Sequence, residues 1–341
     1  MTPHYRHKKM DCPEEFRDLI ASKKFRVVVG LQAFASFLAA IVGTIVIRKC
    51  TSLYFHVNCK ILIISTLVLY VIHSVLVTML QSFHLYLYLS HTNSCEIAIS
   101  TAFCFAVRFP TTACMASFAI LQAGMVVERA LALWKRNGYE QYGCWLGLTI
   151  SLCCVLSALV LSAWAIGNMN LTTFTIYCSV STNETAERIT TLCFILCFID
   201  IMSLAGTAIL RITNVTAMKQ KFSDLQSAYQ LRENDSVLRL LLPLILFNVF
   251  CHLAFSGSSA LLLLLRTHFS YVNYRTIFAA GYTVPYFTLV SPILLWFIIK
   301  KSRQSRVTKL KSLGKHTFNE RELYFNAYSQ MWNDSQVSRM Y

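Results

Sequence analysis

The sequence predicts an all-α membrane protein, built as a bundle of seven transmembrane helices. Of its 341 residues, 55% are hydrophobic and only 14% are charged, which is too few charges to cover an ordinary water-exposed surface. Seven segments are long and apolar enough to cross a bilayer, and a backbone in lipid must satisfy its own hydrogen bonds, as a helix does. The predicted spans are Val27–Ile47, Ile61–Phe83, Ile97–Val127, Cys144–Gly167, Ile189–Leu210, Leu240–Leu265 and Ile277–Ile299.

The distribution of Lys and Arg predicts which ends of these spans face the cytosol. The three loops on one side carry eleven such residues and the three on the other side carry three, and cytosolic loops are the positively charged ones. This count predicts an outside N-terminus, although seven basic residues before Val27 oppose it. We therefore expect an extracellular segment 1–26, a bundle 27–299 with an uncleaved first span, and a cytosolic basic tail 300–341.

Glycosylation sequons support this orientation. Asn170 and Asn183 each begin an Asn-X-Thr sequence between the fourth and fifth spans, and such acceptors are useful only in a loop that faces the lumen. Both are predicted to be glycosylated. Asn214, Asn234 and Asn333 match the same short motif, but they fall on the cytosolic side and are expected to stay unmodified.

Two residues, Cys104 and Arg129, indicate where the third span meets the two membrane surfaces. Cys104 and Arg129 are 25 residues apart, about 37 Å of helix, which is one bilayer from headgroup to headgroup. Cys104 is therefore expected at the outer rim, where it can form a disulfide with Cys178 of the next outer loop. Cys95 lies about 51 Å of helix from Arg129, which is beyond the rim. We predict that it forms a second pair with Cys12.

Two ionisable side chains within the spans, Arg108 and Asp200, are candidate ligand-binding residues, because a charge at membrane depth is costly without a partner or a wet cavity. Arg108 lies one turn below Cys104, so it either lines a pocket or snorkels to the outer interface. Asp200 is too deep to snorkel and needs a hydrogen bond, a cation or a proton. Tyr282 and Tyr286, on the outer half of the seventh span, complete the ligand-binding candidates.

Other functions are excluded by the residue types that are missing. Thirteen cysteines show no repeated CxxC spacing, so neither a metal site nor a cofactor is predicted. The spans contain no paired carboxylates, and the chain has no HExxH, GxSxG or Walker-type sequence, so an enzyme is not expected. The net charge of +15 lies in loops and a tail at a membrane edge, which argues against nucleic acid as a partner. His73 and His252 are interpreted as packing residues.

Four stretches together resemble the nematode serpentine chemoreceptors, specifically the class alpha (Sra) family and its relatives. They are Cys104–Pro110, Val127–Ala132, Tyr229–Asn234 and Glu320–Phe325. The resemblance covers essentially the whole chain. It implies a chemosensory G-protein-coupled receptor in the plasma membrane of sensory neurons, with a small-molecule cue and a heterotrimeric G protein as partners. Glu128 and Arg129 stand where such receptors keep an acid-arginine pair for coupling.

The sequence also permits a rival function. A ligand-gated cation channel can have seven spans with the N-terminus inside, and the basic N-terminal segment favours that inverted topology. The loop charges, the two outer sequons and the spacing from Cys104 to Arg129 argue against it. A transporter is a third and weaker alternative, because no paired carboxylates lie in the spans.

Overall fold

The computed structural model describes residues 14–50, 56–91, 97–135, 139, 143–182, 184–219 and 225–301, with residues 304, 322 and 325 as isolated positions. Within this part of the chain, seven helices are long and apolar enough to cross a membrane. The prediction of a seven-helix bundle is therefore confirmed, and the chain is a multi-pass membrane protein.

The helices and strands follow the order of the predicted spans. The helices are α1 (Glu14–Ala21), α2 (Lys23–Cys50), α3 (Val57–Ser90), α4 (Thr101–Trp134), α5 (Trp145–Ile166), α6 (Ala186–Lys219), α7 (Leu225–Leu264) and α8 (Tyr271–Gly281). Two short strands, β1 (Ile99–Ser100) and β2 (Phe174–Thr175), form an antiparallel pair. After an interruption at 282–283 the chain is helical again from residue 284, and Tyr271–Lys301 is the seventh membrane-length segment. Residues Leu295–Tyr341 form a separate compact unit.

Several helix ends differ from the predicted ones. The third predicted span began at residue 97, but residues 99–100 are β1, and the Ser100 hydroxyl caps α4 by accepting from Ala102 N at 3.3 Å. The sixth predicted span, 240–265, is only the apolar part of the 40-residue α7. Residues 23–26, assigned above to the N-terminal segment, belong to α2. Hydropathy detects the apolar core of a helix, whereas backbone hydrogen bonding continues into polar residues.

The seventh predicted span, 277–299, is not one continuous helix. Its interruption at 282–283 separates α8 from the helix that begins at residue 284. Pro285 is the second residue of that helix, where a missing N–H costs nothing because the first turn has no partner for it. The proline is therefore compatible with a new helix start after the interruption.

Helix α4 organises the bundle. It packs against α3, α5, α6 and α7, and 67% of its most apolar stretch is buried, more than in the other spans described. Its Met115 and Phe118 belong to a core cluster with Leu192 of α6 and Phe255 of α7. The outer surface, by contrast, exposes large apolar side chains such as Phe34 at 61%, as a lipid-facing surface should.

A disulfide between Cys104 and Cys178 ties the first turn of α4 to the segment after β2. The same end of the bundle holds the β1–β2 pair, in which Ile99 faces Thr175. We call it the disulfide end, and we call the opposite end, which holds Arg129, the arginine end. Cys12 and Cys95, the second predicted pair, lie outside the described residues.

Candidate functional site

A cavity opens at the disulfide end, between α4, α6, α7, α8 and the segment after β2. Its volume is about 50 Å³. Apolar side chains line most of the wall, among them Met115, Ile189 and Phe255, and hydroxyl groups from Thr111 and Thr112 interrupt it. A concave, mainly apolar space with a few polar groups is typical of a small-molecule site.

Arg108 provides the charged part of this cavity. It is only 4% exposed, and its Nε donates to the Cys178 carbonyl oxygen at 2.7 Å. The guanidinium carbon lies 5.9 Å from the centre of the Tyr177 ring and 5.8 Å from that of Tyr282. Because Cys178 is bonded to Cys104 one turn earlier on α4, the disulfide fixes the position of the accepting carbonyl. Arg108 therefore lines a pocket and does not snorkel.

The two tyrosine candidates occupy different environments. Tyr282 lies in the interruption after α8, lines the cavity and has its hydroxyl 2.9 Å from Nε2 of His73. Tyr286 is 38% exposed and is not among the residues that line this cavity, so its role in ligand binding stays a prediction. Residues four apart share a face only in a continuous helix, and here the helix begins anew at residue 284.

Asp200 lies outside the cavity, in a buried polar cluster that joins α4, α6 and α7. Its Oδ1 accepts from Gln122 Nε2 at 3.1 Å and from Asn248 Nδ2 at 3.0 Å. Its Oδ2 is paired with Nδ1 of His252. All four side chains are at most 6% exposed. We call this set of four residues the Asp200 cluster, and it satisfies the carboxylate with three hydrogen bonds.

At the arginine end, Arg129 is held between two carboxylates. It is 1% exposed and Glu128 is 0% exposed, and the Nε and Nη2 of Arg129 donate to the two carboxylate oxygens of Glu128. Its Nη1 lies 4.0 Å from Oε1 of Glu233 on α7. That Oε1 also accepts from the backbone N of His56 at 2.6 Å. The third, sixth and second spans thus meet at this arginine.

Tyr139, in the segment between α4 and α5, contacts both Glu128 and Arg129. Its hydroxyl donates to Glu128, and Asn58 Nδ2 donates to that hydroxyl at 3.3 Å. Burial raises the pKa of Tyr139 and the charge of Glu128 raises it further, so the hydroxyl stays a donor. The Gly147 N donates to Asn58 Oδ1 at 3.0 Å, and a Cβ on Gly147 would come within 2.8 Å of the Asn58 Cα. Only glycine allows that approach.

Most of these partners carry no recognisable signal in the sequence. Gln122 and Asn248 are neutral polar residues within apolar spans, and nothing in one sequence tells which helix faces meet. Tyr139 lies in a loop with no recognisable motif. Glu233 was placed in the predicted third inner loop, but α7 extends to it. His252 is a packing residue with a specific partner, Asp200.

The sequons differ in accessibility. Asn170 is exposed, and its Oδ1 accepts from the Thr172 hydroxyl at 2.7 Å. Asn214 and Asn234 are buried, and the Asn214 amide donates to the Leu231 carbonyl at 2.9 Å. Asn183 and Asn333 lie outside the described residues.

We expect glycosylation at Asn170 and Asn183, and none at Asn214 or Asn234, because the transferase acts in the lumen and the latter two lie on the predicted cytosolic side. Treatment with an endoglycosidase should increase the gel mobility of the parent chain. The double change Asn170→Gln, Asn183→Gln should remove that increase. A shift that persists in the double variant would contradict an extracellular disulfide end.

Comparison with known proteins identifies similar chains. The sequence profile of a family described as serpentine type 7TM GPCR receptor class ab chemoreceptor matches residues 9–333. The chain is 23% identical over 286 residues to serpentine receptor class beta-16 of Caenorhabditis elegans. The aligned residues cover 82% of this chain and 83% of that receptor. It is 23% identical over 212 residues to serpentine receptor class alpha-7 of the same organism, with 62% of this chain and 64% of that receptor covered.

Proposed function

Because this chain belongs to the class ab family of serpentine seven-transmembrane chemoreceptors, we propose that it detects a small-molecule cue and signals to a heterotrimeric G protein. In this proposal the cue binds in the cavity at the disulfide end. The G protein binds at the arginine end. The disulfide end faces outside the cell and the arginine end faces the cytosol.

The observation that supports the proposal is that one helix, α7, contacts both the cavity and Arg129. Phe255 lines the cavity, Asn248 and His252 belong to the Asp200 cluster, and Glu233 approaches Arg129. From Phe255 to Glu233 is 22 residues, about 33 Å of helix. A ligand that moves one end of α7 therefore changes the contacts of the other end.

In the proposed mechanism, the structure corresponds to the resting receptor. Arg129 is engaged by Glu128 and Glu233, so its guanidinium is not available to a partner. Ligand binding beside Phe255 shifts α7, separates Glu233 from Arg129 and opens a surface for a G-protein helix. The ligand must bind the open arrangement more tightly than the resting one, because only differential affinity shifts such an equilibrium.

The direct test is a screen of volatile and water-soluble small molecules on cells that express the chain with a promiscuous G protein, read as calcium responses. A response that requires the G protein supports the proposal. Ligand-evoked cation currents that persist when the G protein is absent would instead favour the channel of inverted topology.

A second test needs no ligand. Glu233→Gln keeps an acceptor for the His56 N–H but removes the charge that faces Arg129. If that charge contributes about 1–2 kcal/mol to the resting arrangement, basal signalling should rise about 5–30-fold.

The matched control is Asp235→Asn, two residues along the same helix. Asp235 pairs with Arg239 at 2.7 Å; the Arg239 side chain is 63% exposed and that of Asp235 is 13% exposed, so water screens this pair more than it screens Glu233 beside the buried Arg129. Basal signalling should be measured at equal surface expression. If Glu233→Gln and Asp235→Asn give the same basal signal as the parent, Glu233 does not restrain the receptor.

A further inference from the structure

Arg108 presents a buried charge that the protein itself does not neutralise. Its side chain is 4% exposed and its guanidinium keeps a positive charge in proteins. One of its five N–H donors, on Nε, binds the Cys178 carbonyl. Arg108 forms no ion pair with any carboxylate in the part of the chain that the structure describes, and none of the residues lining its cavity is acidic.

The surroundings of Arg108 orient the guanidinium without neutralising it. The Tyr177 and Tyr282 rings lie about equally far from its carbon, at 5.9 and 5.8 Å. These rings and the Cys178 carbonyl supply partial negative charge only. A buried cation that lacks a full counter-charge is expensive. By comparison, Arg129 in the same helix is also buried but has two carboxylates beside it.

We infer that the ligand of this receptor is a small organic acid whose carboxylate pairs with Arg108. This inference rests on the proposed function, because it assigns a chemical class to the cue that the cavity binds. The planar guanidinium matches a carboxylate with two parallel hydrogen bonds from its remaining donors. The ligand thus supplies the counter-charge that the protein lacks.

The other residues of the cavity determine which hydrocarbon part of the acid can bind. The walls beyond Arg108 are mainly apolar, with Met115, Ile189 and Phe255 among them. The space is small, with a volume of about 50 Å³. A short hydrocarbon body suits such a space better than a drug-sized molecule does, because drug-sized ligands occupy pockets of about 300–1,000 Å³.

The test compares each acid with its neutral isostere. Short straight-chain carboxylic acids and the primary amides of the same lengths have nearly the same shape but differ in charge. Calcium responses would be recorded in cells with the promiscuous G protein. Binding would be recorded as the rise in melting temperature of the purified receptor.

We expect at least one acid to act at a concentration about 30-fold or more below that of its amide, because truncating a buried, hydrogen-bonded charge pair has an effect of that size. Arg108→Gln should remove this preference, so that acid and amide become equally weak. Arg108→Lys keeps the charge without the planar donor pair, and should retain part of the preference. The matched control is Arg188→Gln. Arg188 is partly exposed, donates to the Trp164 carbonyl and does not line the cavity, so this variant should keep the full preference.

The outcomes separate this inference from the proposed function. If acids raise the melting temperature through Arg108 but no compound evokes a signal, the acid site stands and the coupling proposal fails. If neutral or cationic compounds evoke signals and acids neither signal nor bind, the receptor proposal stands and the acid inference is overturned. The inference is also overturned if amides act as well as acids in the parent, if Arg108→Gln keeps the preference, or if no acid binds.

Discussion

Arg129→Ala should destabilise the receptor by about 3–5 kcal/mol, which is the usual result of removing one partner from a buried ion pair. The Glu128 carboxylate is 0% exposed, and the change leaves it without the cation to which both of its oxygens are bound. Glu233 would lose the same cation. The measurement is thermal unfolding of the purified receptor in detergent.

Two controls show whether an unpaired charge causes this loss. The double change Glu128→Gln, Arg129→Gln removes both charges and keeps polar side chains, so it should recover much of the stability. Arg188→Ala changes a partly exposed arginine whose hydrogen bond to the Trp164 carbonyl is accessible to water, and should shift stability by about 1 kcal/mol or less. If the double variant is as unstable as Arg129→Ala, the buried charge is not the cause.

Asp200→Leu should cost a comparable amount, about 3–5 kcal/mol. Gln122, Asn248 and His252 all use the Asp200 carboxylate as their partner, and a leucine leaves them buried without it. Asp200→Asn retains one carbonyl oxygen as an acceptor, so its loss should be clearly smaller. The readout is again the melting temperature, together with the surface level in cells.

The pair of Asp235 with Arg239 provides the comparison for Asp200. Asp235→Leu removes an acid from the same bundle, but this acid is 13% exposed and its partner is 63% exposed, and ion pairs that water reaches contribute about 0–1 kcal/mol. Equal losses for Asp200→Leu and Asp235→Leu would show that the Asp200 cluster contributes no more than this pair does. A loss confined to Asp200→Leu would show that the cluster stabilises the junction of α4, α6 and α7.

Much of the fold could be predicted because lipid imposes a simple rule on sequence. Seven apolar segments of sufficient length give seven helices, and this prediction is confirmed. The family resemblance is also confirmed, since the serpentine receptor profile matches residues 9–333. The ends of α7 could not be predicted in the same way. Residues 225–239 are polar but helical, and hydropathy carries no signal for a helix that continues past the membrane.

The candidate site was predictable only where an ionisable residue stands out from an apolar span. Arg108 and Asp200 were identified for that reason, and both are buried. Their partners were not identifiable, because a hydrogen bond such as that between Gln122 and Asp200 depends on how two helices are rotated. The spacing from Cys104 predicts Arg129 at the headgroup level, yet it is 1% exposed. Tyr139 and Glu233, which contribute to its burial, come from segments read as loops.

Helix α7 is divided by Pro243 into two arms of similar length. It is 40 residues long and contains Pro243, which removes one backbone hydrogen bond and weakens the helix at that point. From Pro243, one arm reaches Phe255 after about 18 Å and the other reaches Glu233 after about 15 Å. A bend of about 10° at the proline would displace Glu233 by roughly 2.6 Å over that arm, against a present separation of 4.0 Å from Arg129. In the proposed mechanism, a small bend at Pro243 would therefore be enough to separate Glu233 from Arg129.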